Sequence, residues 1–116
     1  PFLPIIETDG EISLIFFGGA LSHVLQKLPG EGRWFANDQH TRIKDAAPPD
    51  GAAEIAGACL RAAPGPNLYA RVDLIRDPAD QPCVLELELT EPSVFLLHEA
   101  ASAARFARAI LEWLAR

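Results

Sequence analysis

Apolar and polar residues alternate with a period of two in two runs of the second half of the chain. These runs are Tyr69–Ile75 and Val84–Thr90, and a period of two predicts β-strands. Segment 76–83 between them is rich in turn formers, so we predict an antiparallel hairpin in which Asp77 lies opposite Pro82. One face then carries the polar residues Arg71, Asp73, Glu86 and Glu88, and the other carries the apolar residues Val72, Leu74, Leu85, Leu87 and Leu89. We predict that the apolar face belongs to the core.

The same patterns predict five further elements. Apolar runs bounded by glycine turns indicate strands upstream, and apolar residues at helical spacing indicate two helices. The predicted strands are an edge strand or hinge entry at Pro1–Glu7, a strand buried on both faces at Glu11–Phe17 and a strand at Ala20–Lys27. The predicted helices are Ala52–Ala63, with Asp50 as its N-cap, and His98–Ala115, with a core-facing stripe of Ala103, Phe106, Ala107, Ile110, Leu111 and Leu114. Segment 28–49 has little periodicity and is predicted to be a loop. These elements indicate an α+β fold, an antiparallel sheet of about five strands with two helices packed on one face.

Composition and charge narrow the class of protein. The chain has 116 residues, enough for a single domain, and 49% of them are hydrophobic, as in globular proteins. A formal net charge of −6 argues against nucleic acid as a partner, and no apolar run reaches the roughly 18 residues of a membrane span. We interpret Cys59 and Cys83 as reduced thiols, which is typical of a cytoplasmic protein. Because the chain begins at Pro1 and contains no Met, we expect it to be a fragment of a longer protein.

Asp73, Glu86 and Glu88, here called the acidic cluster, are predicted to lie side by side on the polar face of the hairpin. Like charges facing each other across a sheet destabilise it, by up to about 1 kcal/mol per pair. Arg71 offsets one of these charges at most. Two explanations remain open at this point. The cluster is either a site for a divalent cation such as Mg²⁺, which favours hard oxygen ligands, or a solvated acidic strand face.

The residues Arg71-Val72-Asp73, followed after a spacer by Glu86-Leu87-Glu88 and Pro92, resemble the closing motif of the ATP-grasp ligases. Segment 86–93 resembles the branch with glutathione synthetase-like and D-cycloserine synthetase-like ligases. The resemblance implies that Asp73 and Glu86 are metal ligands and that Glu88 takes the place of the family's more common Asn. It also implies that Arg71 is the catalytic cation that contacts the transferred phosphate.

Upstream segments resemble the same family. Gly10-Glu11-Ile12-Ser13 and the segment 22–29 match its G-E-x-S and S-H-x-x-x-K-x-P patterns. The implied ATP-binding residues are Glu11 and Lys27, and the implied substrate-binding residues are His23, Arg33, Asn37 and Ser93. Arg33 enters this set only as a substitute, because Phe35 occupies the position of the family's Arg. For each of these residues, an ordinary structural or surface role is the alternative interpretation.

The resemblance also implies a function. Residues 1–116 would form one domain, the C-terminal ATP-grasp lobe that binds ATP and Mg²⁺, with Mn²⁺ as an alternative metal. The full-length enzyme would join a small-molecule carboxylate to an amine through an acylphosphate, and its missing N-terminal lobes would be partners of this one. The isolated chain is expected to be inactive, and homo-oligomer formation is left open. The alternative is a non-catalytic α+β interaction domain with a solvated acidic sheet face.

Overall fold

The computed structural model of the protein describes residues 4–30 and 41–116. These residues form three helices and five strands. In chain order, the elements are α1 (Ile5–Thr8), β1 (Glu11–Phe17), β2 (Ala20–Leu28), β3 (Arg42–Asp45), α2 (Ala52–Ala62), β4 (Tyr69–Arg76), β5 (Pro82–Glu88) and α3 (Ser102–Leu114). Within the described ranges, no helix is long and apolar enough to cross a membrane.

The five strands form a single antiparallel sheet in the order β3-β2-β1-β4-β5. This arrangement confirms the predicted α+β fold and its antiparallel sheet. Gly18 and Gly19 form the turn between β1 and β2 with φ angles of 57° and 83°. Two successive positive φ angles match the twist of a two-residue hairpin, and glycine adopts them without steric penalty. The other neighbour of β1 is β4, which comes from the second half of the chain.

Both faces of β1 are buried, as predicted, and a different helix covers each face. Leu14 packs in a hydrophobic cluster with residues of α2, whereas its neighbour Ile15 packs in a second cluster with residues of α3. Successive side chains of a strand point to opposite faces, so α2 and α3 lie on opposite sides of the sheet. This placement differs from the predicted one, in which both helices share a face, because a strand buried on both sides needs cover on both.

Two short elements at the edges of the fold differ from the prediction. Of the two interpretations of Pro1–Glu7, the edge strand is wrong in its described part, since α1 is helical. Pro4 starts that helix with φ −60°, and proline is well tolerated in a first helical turn. The prediction also omits β3, which lies in the segment interpreted as a loop. This strand has only four residues and pairs only with β2, so its alternation is too short to detect.

The β4–β5 hairpin has the predicted register over its first half. Arg71 lies opposite Glu88 and Asp73 opposite Glu86. A bulge between Asp73 and Leu74 then shifts the pairing by one residue, so Pro82 lies opposite Arg76 and not Asp77. The bulge leaves Leu85 unpaired and 45% exposed, so its predicted core position is wrong.

The two longer helices also differ in detail from their predicted forms. The N-cap of α2 is Gly51, at φ 78°, and not Asp50. The last helix begins at Ser102 instead of His98, and its buried residues are Ser102 and Ala109. Leu111 and Leu114 of the predicted stripe are 68% and 76% exposed. The helix is therefore rotated from the predicted orientation. Two of its small residues, Ser102 and Ala109, face the sheet, and Ser102 Oγ donates a hydrogen bond of 2.8 Å to the Leu96 carbonyl oxygen.

Candidate active site: a charge network on the sheet

Beside α3, six of the predicted site residues lie together on one face of the sheet. Because side chains alternate along a strand, Glu11 and Ser13 lie on the same face of β1 as Ile15, which packs against α3. The ion pairs cross four adjacent strands, from β2 through β1 and β4 to β5. The members of this charge network are Glu11, Lys27, Arg71, Asp73, Glu86 and Glu88.

Asp73 is the centre of the charge network and is completely buried. Its Oδ1 atom accepts a hydrogen bond of 2.5 Å from Ser13 Oγ. Arg71 Nε lies 3.0 Å and 2.9 Å from the two carboxylate oxygens, and Arg71 Nη2 lies 2.8 Å from Oδ2. Lys27 Nζ is a further donor, 3.4 Å from Oδ2. A buried carboxylate is tolerated only when it is paired and hydrogen-bonded, and these four donors meet that requirement.

Arg71 connects the centre of the network to its outer edge. Its Nη2 atom lies 2.9 Å from Glu88 Oε1 and 3.8 Å from Glu86 Oε2. Burial lowers the pKa of the Arg71 guanidinium, but the hydrogen bond and charge of Asp73, with the charges of Glu88 and Glu86, outweigh this effect and raise it. Arg71 therefore remains a permanent cation in contact with the whole acidic cluster.

Lys27 is a second buried cation of the same face. Its Nζ atom lies 3.3 Å from Glu11 Oε2 and 3.4 Å from Asp73 Oδ2. The pKa of Glu11 is raised overall. Burial raises it most and the charge of Asp73 raises it further, whereas the charge of Lys27 lowers it. The polar face is thus better neutralised than the hairpin alone indicates, since only Arg71 could be assigned as a counter-charge from the hairpin sequence.

The structure places His23 away from the charge network, in contact with the segment after β5. His23 is 7% exposed, and both ring nitrogens have protein partners: Ser22 Oγ at 2.8 Å from Nδ1, and the Val94 carbonyl oxygen at 3.0 Å from Nε2. Arg105 Nε donates a hydrogen bond of 3.0 Å to Ser22 Oγ, so the Ser22 hydroxyl group donates its own proton to His23 Nδ1. The Val94 carbonyl oxygen can only accept, so the other ring nitrogen of His23 donates to it as Nε2–H. The pKa of His23 is lowered overall. Burial lowers it most and the Arg105 charge lowers it further, whereas the hydrogen bond to Val94 raises it. His23 thus holds the backbone that follows Ser93.

Ser93 approaches the network through its backbone. Its carbonyl oxygen lies 3.4 Å from Arg71 Nη1, and the residue itself is exposed. The structure therefore brings this predicted substrate-contact residue beside the charge network. Arg33 and Asn37 lie outside the described residues.

Ser13 is a site residue for which the sequence patterns predict no role. Its hydroxyl group is fully buried against Asp73. Alternation along β1 places Ser13 on the same face as Glu11, and that signal is present in the sequence. Its position opposite Asp73 depends on the pairing of β1 with β4, which local turn signals do not reveal.

The acidic cluster has the right oxygen ligands for Mg²⁺, but its present arrangement does not fit a metal ion. All three carboxylates point to Arg71 Nη2, so a guanidinium occupies the point on which they converge. Among the residues that the structure describes, no group of three acidic, histidine or cysteine side chains is arranged to hold a metal.

Known proteins are similar to this chain in both sequence and fold. No protein-family model matches it. The cycloserine biosynthesis protein DcsG of Streptomyces lavendulae is 35% identical over an alignment 123 positions long, which covers 98% of this chain and 41% of DcsG. The crystal structure of D-cycloserine synthetase DcsG superimposes with a TM-score of 0.74 at 33% identity, with the same coverage of the two chains.

More distant structures share the fold. The D-alanine–D-alanine ligase from Bacillus anthracis complexed with ATP has a TM-score of 0.58 at 22% identity, over 88% of this chain and 36% of the ligase. The ATP-grasp ligase PsnB, complexed with a minimal precursor, has a TM-score of 0.59 at 18% identity, over 88% of this chain and 35% of PsnB. The chain thus spans about two fifths of the length of DcsG. By sequence and by fold, this chain is similar to the corresponding part of DcsG, and it shares its fold with the ATP-grasp ligase PsnB.

Proposed function

We propose that this chain is the nucleotide- and Mg²⁺-binding lobe of an ATP-dependent carboxylate–amine ligase. The observation that carries the proposal is the convergence of Arg71, Asp73, Glu86 and Glu88 on one sheet face. The fold is shared with a ligase that was crystallised with ATP, which supports ATP as the nucleotide. The proposed substrates are a small-molecule carboxylate and an amine, and the name of the D-alanine–D-alanine ligase, which shares this fold, supports that class.

In the proposed reaction, ATP phosphorylates the carboxylate, and the amine then attacks the acylphosphate and releases phosphate. Such a reaction depends on positioning and on neutralisation of phosphate charge. Arg71 supplies a permanent cation with a planar donor fork, a geometry that matches phosphate oxygens. Lys27 supplies a second cation on the nucleotide side, and Glu11 holds it in place through their 3.3 Å ion pair.

The acidic cluster supplies the proposed ligands of Mg²⁺, or of Mn²⁺ as an alternative. Metal binding there requires a rearrangement of Arg71, because its guanidinium now holds the same oxygens. Ser93 is proposed to contact the acceptor substrate, as are Arg33 and Asn37. His23 is proposed to act through Val94, by holding the segment that carries Ser93, since neither of its ring nitrogens is free.

Glu86→Gln is the substitution that tests the proposed function. The Glu86 side chain is 52% exposed and lies 3.8 Å from Arg71, so it contributes little to the fold. We expect the substitution to change the free energy of unfolding by less than about 0.5 kcal/mol. In the full-length ligase, ADP release with ATP, Mg²⁺ and a panel of amino acids should be abolished.

Glu54→Gln is the matched control, because Glu54 is an exposed carboxylate of α2 outside the charge network. Turnover should survive this substitution. Near-wild-type turnover by Glu86→Gln would instead mean that Glu86 is only a solvated surface carboxylate, and its assignment as a metal ligand would fall.

A further inference from the structure

Donors from three different elements hold the backbone that follows β5. Residues 93–96 belong to no helix or strand, yet their four successive carbonyl oxygens each accept a hydrogen bond. The donors are Arg71 Nη1 of β4 to Ser93 at 3.4 Å, His23 Nε2 of β2 to Val94 at 3.0 Å, the His98 N–H to Phe95 at 3.1 Å, and Ser102 Oγ of α3 to Leu96 at 2.8 Å. These contacts fix the path of segment 93–96 across the end of the sheet.

One residue of this segment has a strained backbone. Phe95 has a φ angle of 48°, in the left-handed region that residues other than glycine rarely adopt. Such a conformation persists only where the surrounding contacts over-determine it, and it is found preferentially at functional sites. The form of segment 93–96 therefore depends on the donors that hold its carbonyl oxygens, and loss of one donor should loosen it.

The contact to Val94 is the last step of a longer series of hydrogen bonds, here called the hydrogen-bond path. Arg105 Nε donates to Ser22 Oγ over 3.0 Å. Ser22 Oγ lies 2.8 Å from His23 Nδ1, and His23 Nε2 lies 3.0 Å from the Val94 carbonyl oxygen. A guanidinium can only donate and a carbonyl oxygen can only accept, so all bonds of the path run from Arg105 to Val94. Glu99 forms an ion pair with Arg105 and holds the outer end.

The hydrogen-bond path is complete only while His23 is neutral. A protonated ring carries a hydrogen on Nδ1 as well, so the Ser22 hydroxyl proton would lose Nδ1 as its acceptor. Burial is the main reason that the pKa of His23 is lowered, and the charge of Arg105 lowers it further, whereas the charges of Glu99 and Asp45 raise it. Arg105 thus favours the neutral ring that completes the path.

We propose that Arg105 is a positioning residue that holds segment 93–96 in its strained form through the hydrogen-bond path. The path ends at a backbone oxygen, so Arg105 acts without contacting a substrate. Because Ser93 is the proposed contact to the acceptor substrate, α3 then influences how tightly the acceptor binds. This consequence rests on the proposed function, whereas the positioning itself does not.

The test compares three variants of the 116-residue chain with the wild type by NMR. Arg105→Met removes the charge and the donor, so the pKa of His23, measured by titration of its ring signals, should rise toward its ordinary value. Hydrogen exchange at the His98 N–H, which bonds to the Phe95 carbonyl oxygen, should become about tenfold faster. Arg105→Lys keeps the charge and a donor and should move both readouts back toward the wild type. Arg108→Met, at an exposed position of the same helix, is the matched control and should change neither.

The full-length ligase gives a second readout at the acceptor site. In Arg105→Met, the KM for the acceptor amine should rise about tenfold while kcat changes less than about threefold, because the variant loosens a binding segment and leaves the reacting groups in place. Arg105→Lys should recover most of the loss. A fall in kcat at unchanged KM would overturn the link between α3 and acceptor binding.

Three results would overturn the positioning role. The first is an Arg105→Met variant that folds, by circular dichroism, and leaves either NMR readout unchanged. The second is a full effect, equal to that of Arg105→Met, in Arg105→Lys or Arg108→Met. The third needs only the wild type and so covers the case of an unfolded variant: a neutral His23 ring that carries its hydrogen on Nδ1 instead of Nε2, which would reverse the hydrogen-bond path.

Failure of this inference is distinguishable from failure of the proposed function. The NMR readouts need neither ATP nor turnover, so they decide the positioning role even if the full-length protein shows no ligase activity. Turnover that depends on Glu86, together with unchanged NMR readouts in Arg105→Met, overturns the positioning role and leaves the proposed function standing.

Discussion

Ser13→Ala tests how firmly the buried centre of the charge network is held. Ser13 and Asp73 are both fully buried, and the Ser13 hydroxyl donates to Asp73 Oδ1 over 2.5 Å. A hydrogen bond to a charged group contributes about 1.5–3 kcal/mol. Asp73 keeps its bonds to Arg71 and Lys27 in the variant, so we expect a loss near the lower end, about 2 kcal/mol. For a chain of 116 residues, that loss lowers the melting temperature by roughly 8 °C.

Ser102→Ala is the control for this prediction. Ser102 is also fully buried, but its hydroxyl donates to a neutral carbonyl oxygen, that of Leu96. A bond between neutral groups contributes about 1 kcal/mol, so the control should lose roughly half as much stability. Urea unfolding of the two variants and the wild type, followed by circular dichroism, measures both losses. The reasoning is refuted if Ser13→Ala loses no more stability than Ser102→Ala.

Two further predictions concern His23 and Leu85. Burial lowers the pKa of His23, so the unfolded state takes up a proton at a higher pH than the folded state does. The contribution of neutral His23 to the free energy of unfolding should therefore be fully present above the ordinary pKa of about 6.5 and should be lost as the pH falls below it. His23→Gln should flatten this part of the pH–stability curve while the exposed His98→Gln leaves it unchanged, and an unaltered slope in His23→Gln would contradict the assignment. Leu85→Ala should lower the free energy of unfolding by less than about 1 kcal/mol, whereas Leu74→Ala, fully buried across the bulge, should lower it by about 2–5 kcal/mol. Equal losses in urea unfolding would mean that Leu85 belongs to the core after all.

Local patterns in the sequence were sufficient to predict the two hairpins. Alternation and turn residues identified β1, β2, β4 and β5, and they gave the correct pairing of Asp73 with Glu86. The bulge that follows was not predictable, because Leu85 is as apolar as its core neighbours and only the bend of the strand exposes it.

Contacts between distant segments account for most of what the sequence left unspecified. The buried role of Ser13 and the position of Lys27 beside Asp73 both depend on β1 lying next to β4. The orientation of α3 was wrong for a related reason: its larger apolar stripe suggested one face, but packing of Ala109 and Ser102 against the sheet selected another. The metal-site interpretation of the acidic cluster stays a prediction, as do the roles of Arg33 and Asn37.

The position of β1 at the centre of the sheet has a consequence for the order in which the protein folds. The hairpins β1–β2 and β4–β5 are local in sequence, whereas the seam between β1 and β4 closes a long loop. Long-range pairing is the slow step in folding, because chain entropy is lost before the new contacts compensate for it. One hairpin carries Glu11, Ser13 and Lys27, and the other carries Arg71 and Asp73. The charged groups must therefore be desolvated when β1 pairs with β4. Salt that screens their attraction should therefore slow refolding more than it speeds unfolding.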